Sequence, residues 1–64
     1  MVKVNGTQME IAGVTVAEFL EKNGYDRTKV AVEINLDIVP KARYDSTVIN
    51  DGDSVEVVSF VGGG

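Results

Sequence analysis

The stretch VTVAEFLEKNG, residues 14–24, decides how the rest of the chain is read. Val16, Phe19 and Leu20 stand at i, i+3 and i+4, the spacing that sets three apolar side chains on one face of a helix. Thr15 followed by Glu18 is a capping box, in which hydroxyl and carboxylate satisfy N–H groups that the first helical turn leaves without partners. Val14 and Phe19 occupy the two positions of a hydrophobic staple, and Glu18 stands four residues before Lys22, where opposite charges meet on a helix. Gly24 is placed to end the helix in the left-handed conformation. A helix with one apolar stripe needs a second layer to bury it.

The flanking segments have period 2 and supply that layer. Val2 and Val4 alternate with Lys3, Asn5-Gly6 is a strong hairpin signal, and Met9 and Ile11 continue the alternation on the return strand. After the helix, KVAVEIN predicts a strand with Val30, Val32 and Ile34 inward and Ala31 and Glu33 outward. NLD reads as a turn, and IVP as a short strand ended by Pro40, which has no N–H for a ladder. KARYDSTVIN is the least periodic stretch; it reads as a helical turn or irregular loop, then a short strand at Val48 and Ile49. NDGD is a tight turn with Gly52 at the position of positive φ. The last strand, SVEVVSFV, points Val55 and Val57 inward and Glu56, Val58 and Phe60 outward.

The order is β-β-α-β-β-β. With a crossover through the helix after the first hairpin, a later strand runs parallel to one of the first two. The expected fold is therefore α+β: a mixed four- to five-stranded sheet packed on one main helix, the β-grasp arrangement. It forms a single domain over residues 1–64, with residues 62–64 as a flexible glycine tail.

Composition narrows the chemistry. The 64 residues include no Cys and no His, and the net charge is −4. Disulfides, the usual soft-metal ligands, a thiol nucleophile and an imidazole base are all absent, so catalysis would have to come from another protein. An acidic chain whose six Lys and Arg are scattered along it lacks the basic patch that nucleic acid requires. The opening MVKVNGTQME has no apolar core of signal-peptide length, and no segment has the length and apolarity of a membrane span. A cytoplasmic protein, monomeric when free, is the expectation.

The terminal Gly62-Gly63-Gly64 is the main candidate feature. A frayed terminus would look the same, and at this point both readings stand. Without Cβ atoms, however, three glycines make the narrowest thread a polypeptide can form, reaching roughly 10 Å beyond the last strand when extended. Such a thread can carry its end group into an enclosed site. That group is an α-carboxylate with an ordinary pKa of about 3.3–3.7, an anion at neutral pH and a poor electrophile until activated. Val58 and Phe60 lie on one face just before the tail and suit a partner surface, which Leu36 extends from its turn. Asp45, Asp51, Asp53 and Glu56 invite a hard-metal reading, but NDGD is ordinary turn chemistry.

The segments VNG, TVAEFLEKNGYD, VAVEIN, DIVPKARY and INDGDSVEVVSFVGGG together resemble the ThiS-type sulfur carriers of thiamine biosynthesis, ubiquitin-like β-grasp proteins, over essentially the whole chain. The acidic-Gly-acidic turn, single strand and terminal glycine run are the most specific of these marks. Leu36 stands where many members have Gly, so the turn there is expected to rest on Asn35. The resemblance implies that an adenylating enzyme, using ATP and Mg²⁺, converts the carboxylate of Gly64 to an acyl-adenylate. Sulfur from cysteine, delivered through a persulfide on a sulfur-donor protein, then displaces AMP, and the resulting thiocarboxylate docks on thiazole synthase and gives its sulfur to the growing thiazole ring. Gly62 and Gly63 would be the thread, Val58 and Phe60 part of the docking face, and the carrier would bind no cofactor of its own. The alternatives are the similarly built small subunit of molybdopterin synthase, a carrier for amino-acid or siderophore assembly, and a β-grasp interaction module with an unmodified tail.

Overall fold

The computed structural model describes residues 1–60. Strands β1 (Val2–Val4) and β2 (Thr7–Met9) form the first hairpin, helix α1 spans Val16–Lys22, and strands β3 (Val30–Ile34), β4 (Asp37–Val39) and β5 (Ser54–Ser59) follow. Short 3₁₀ turns at Arg27–Lys29 and Lys41–Arg43 sit before β3 and after β4. The five strands form one sheet in the order β2-β1-β5-β3-β4. β1 and β5 are parallel and every other neighbouring pair is antiparallel, so the expected mixed β-grasp sheet is present.

Helix α1 forms where its capping signals stand. The Thr15 hydroxyl accepts from the Glu18 N–H at 3.1 Å, and the Glu18 carboxylate accepts from the Thr15 N–H at 2.8 Å. Asn23 closes the helix and Gly24 follows with φ +77°, the left-handed turn that a Cβ would oppose. Val16, Phe19 and Leu20 are buried against Val2, Val4, Val30, Val32, Val39, Val55 and Val57 on the inner face of the sheet. Ile34, expected in the core, is only partly buried at its edge.

The segment 40–50 has the expected helical turn, at Lys41–Arg43, but not the expected strand. Val48 and Ile49 form no strand; Val48 makes a single antiparallel bridge with Thr15. The reason lies in the helix N-terminus. Val16 N–H donates to Thr47 O and Ala17 N–H to Tyr44 O, each at 2.9 Å, while Ile49 N–H donates to Val14 O at 2.8 Å. The backbone of residues 44–49 is thus engaged by the entrance of α1, and the ladder stops where the helix turns away. Tyr44, not anticipated as a core residue, is almost fully enclosed, as is Ile49. Its hydroxyl faces Val30 O at 3.4 Å. Burial pushes the Tyr44 phenol above its ordinary pKa.

Two-residue turns with positive φ at both positions link β1 to β2 (Asn5 +48°, Gly6 +85°) and β3 to β4 (Asn35 +52°, Leu36 +72°). The second turn rests on Leu36 as much as on Asn35. Both asparagines also serve β5. Asn5 Oδ1 accepts from Val57 N–H at 2.9 Å and its Nδ2 donates to Val57 O at 3.3 Å, extending the β1 edge where β1 itself has turned away. Asn35 Oδ1 accepts from Ser54 N–H and its Nδ2 donates to Asp53 Oδ1, both at 3.0 Å.

Candidate functional site: the outward face of the sheet

With one helix available, one face of the sheet is covered and the other is not. Period 2 in β5 sends Glu56 and Val58 to the uncovered face. Val58 is 56% exposed and Phe60, just past the strand, 49%. Register places the neighbours: Val58 lies opposite Ala31, Glu56 opposite Glu33, and Glu33 opposite Ile38 on β4. Ile38 is 74% exposed and Leu36 83%. Val58 and Phe60 are therefore close along one strand, whereas Leu36 stands at the opposite end of the sheet, in the turn beyond Ile34 and Asp37. Ile38 lies between those two ends on the same face. It could have been found from the sequence, because a two-residue turn after Ile34 sets Ile38 across from Glu33.

Phe60 is positioned by its backbone and by a cation. Its N–H donates to Lys29 O at 2.8 Å, which continues the β5 pairing past the end of the strand. Lys41 Nζ sits 5.4 Å from the centre of the Phe60 ring and donates to Thr28 O at 2.9 Å. One of the cations scattered in sequence, Lys41, is thus brought to this corner by the fold. Gly62, Gly63 and Gly64 lie outside the described residues, and they follow directly from it.

The acidic residues elsewhere are occupied. Asp53 Oδ2 accepts from Asn50 N–H at 2.8 Å, and Asp51 contacts the amino group of Met1. Asp45 receives both guanidinium nitrogens of Arg27, at 3.0 and 2.9 Å, and this pairing holds its carboxyl below the usual range. Hydrogen bonds from Thr28 do the same for Asp26, and the Thr15 N–H does so for Glu18. These carboxylates surround a surface hollow beside α1 with Glu21 and Tyr25, but their bonds make them parts of turns and caps rather than a free acid–base pair. Among the described residues no group of three or more potential ligands is arranged to hold a metal ion. No helix there is long and apolar enough to cross a membrane.

Residues 2–64 match the sequence profile of the ThiS family. The chain belongs to the ThiS family. It is 36% identical to the sulfur carrier protein ThiS of Thermus thermophilus over the full length of both chains. It is 48% identical to a thiazole synthase of Paramagnetospirillum magneticum over 95% of this chain, yet it spans only 19% of that longer protein. In structure it superimposes on the thiamine biosynthesis protein ThiS of Geobacter metallireducens with a TM-score of 0.82 and 31% identity, covering 98% of this chain and 97% of the other.

Proposed function

We propose that this ThiS-family chain is a sulfur carrier for thiazole formation in thiamine biosynthesis, a protein co-substrate rather than an enzyme. The observation that carries the reading is the family match through residue 64, which takes the glycine run into the matched region. The end of β5 supports it: an exposed apolar corner at Val58 and Phe60 stands directly before those glycines.

In this reading the carboxylate of Gly64 attacks the α-phosphorus of ATP on a partner adenylating enzyme, with Mg²⁺ held there, and pyrophosphate leaves. The terminal sulfur of a persulfide on a donor protein then attacks the acyl carbon and AMP departs; a thiol of the partner machinery cleaves the resulting acyl disulfide, leaving Gly64 as a thiocarboxylate and the partner's two sulfurs as a disulfide. Gly62 and Gly63 form the thread that enters each partner's site, while Val58, Phe60 and Leu36 belong to the face that docks. Thiazole synthase is the acceptor. A stretch similar to this chain forms part of the P. magneticum thiazole synthase, which supports carrier and synthase acting together. A cytoplasmic location, with ATP at hand for the adenylation, fits this reading.

The test is mass spectrometry of the full chain after incubation with its adenylating enzyme, ATP and a sulfur donor. The expected product is heavier by one sulfur minus one oxygen at the C-terminal residue. An unchanged mass sinks the proposal and leaves an interaction module. Transfer of the sulfur to the thiazole formed by thiazole synthase, rather than to a molybdopterin precursor, decides the pathway.

A further inference from the structure

Two Asn-Gly pairs stand in the chain, Asn5-Gly6 and Asn23-Gly24, and both are open to one spontaneous reaction. The backbone nitrogen of the glycine gives up its proton and attacks Cγ of the asparagine. The Cγ–Nδ2 bond breaks, ammonia leaves, and water opens the resulting five-membered imide at either carbonyl, giving Asp or isoAsp. A following glycine favours the step because no Cβ crowds the attacking nitrogen. Asn35 and Asn50 are followed by Leu36 and Asp51, whose side chains hinder it. Asn5 and Asn23 are both exposed, so access of water does not separate them. What separates them is how much structure must open before the ring can close.

Asn5 is held by the middle of the sheet. Its side chain bonds Val57 through both Oδ1 and Nδ2, and its backbone N–H donates to Val55 O at 2.9 Å. Freeing it means parting β1 from β5, a central pair, at a free energy close to that of unfolding the whole domain. Asn23 stands instead at the end of α1. Its Nδ2 donates to Phe19 O at 2.9 Å, Gly24 N–H to Glu21 O at 3.2 Å and Tyr25 N–H to Leu20 O at 2.9 Å, the last two being the paired bonds of a Schellman cap. While the cap is closed the Gly24 nitrogen is occupied. The ψ of 10° at Asn23 also turns that nitrogen away from Cβ, whereas a five-membered ring needs the two on the same side. The cap is pinned by the ring of Tyr25, whose centre lies 6.3 Å from that of Phe19. The last turn of a helix opens at low free energy. We propose that Asn23 is the deamidation site of the folded protein, that Asn5 is spared, and that Tyr25 against Phe19 is the latch that sets the rate. The Asp product puts a carboxylate at the negative end of the helix dipole and removes the donor to Phe19 O, so the modified domain is less stable.

The experiment incubates the full chain at fixed temperature and pH and follows both pairs by peptide mapping, each conversion read as the mass change from NH2 to OH. In the folded chain Asn23 should convert about tenfold or more faster than Asn5, and in unfolding concentrations of urea the two rates should come within about threefold of each other. This comparison needs no variant. Tyr25→Ala should speed conversion at Asn23 about threefold or more and leave Asn5 unchanged, while Tyr25→Phe, which keeps the ring, should keep the wild-type rate. Asn23→Asp should lower Tm by about 2–5 °C. Conversion of Asn5 as fast as Asn23 in the folded chain overturns the assignment, as does survival of both while the urea-unfolded chain converts. Equal acceleration at both pairs in Tyr25→Ala, the mark of whole-domain opening, or no acceleration at Asn23, overturns the latch. An unchanged Tm in Asn23→Asp overturns the loss of stability.

Discussion

Val55 and Val57 of β5 are buried against helix α1, while their sequence neighbours Glu56 and Val58 face outward. The two faces are built from the same strands one residue out of phase, but they follow different rules. Inside, Phe19, Leu20, Tyr44 and Ile49 fill the space between sheet and helix in close contact. Outside stand Lys3, the facing Glu33 and Glu56, two exposed branched aliphatics and a half-exposed aromatic. A chain of this size has one helix and can cover one face. The covered face supplies most of the apolar burial, and the bare one leaves apolar groups in solvent, as expected where recognition by another protein is the requirement.

The distinction breaks most visibly at two phenylalanines. Phe19→Ala should cost about 3–5 kcal/mol through lost burial and a cavity, enough to unfold most of so small a domain in a urea titration. Phe60→Ala should cost about 1 kcal/mol or less, and Phe60→Asp should raise the KM for adenylation more than it lowers Tm. Equal losses of stability at the two sites would place Phe60 in the core and end the contrast. Next in size, Asn5→Ala removes both bonds to Val57 and a residue that tolerates positive φ, an expected loss of about 2–3 kcal/mol. Asn5→Asp keeps the acceptor for Val57 N–H and should recover about half of that.

Smaller effects sharpen the contrast. Leu36 holds φ +72° with its side chain in solvent, so Leu36→Gly should stabilise the domain by about 0.5–1 kcal/mol, seen as a rise in Tm. A fall in Tm would mean that Leu36 packs and belongs to the structural side. Titration gives the smallest change. Asp26, Asp45 and Glu18 have folded pKa values below their ordinary 3.8, 3.8 and 4.5. Their stabilisation is complete above those ordinary values and is lost as pH falls through the lower folded ones, so Tm should decline below about pH 4. Tyr44 has the opposite sign: its folded pKa lies above 10, so its contribution is complete below 10 and is lost as pH rises beyond. Arg27→Ala should flatten the Asp45 part of the acid limb.

Much of this molecule was legible from residue spacing. The capping box, the helix stripe, the Asn5-Gly6 hairpin, the inward pair Val55 and Val57 and the outward pair Val58 and Phe60 all depend on neighbours within about four positions, where geometry follows from backbone period alone. Of the 40–50 segment the helical turn was legible but the core was not, because Tyr44 and Ile49 are buried by the helix entrance rather than by any period of their own. Leu36 as an exposed apolar residue was readable, but its place at the far end of the face from Phe60 was not, since that depends on how β4 and β5 line up across β3.

The residue order was therefore sufficient for the elements and for which way each side chain of a strand points, because those are properties of a short length of backbone. Pairing was settled at the level of the folded chain. Asn5 meeting Val57, 52 residues away, Glu33 facing Glu56, and Lys41 resting over Phe60 are contacts between segments that no local period relates. They exist because β5 pairs with β1 on one side and β3 on the other, and those two registers bring together segments far apart in sequence.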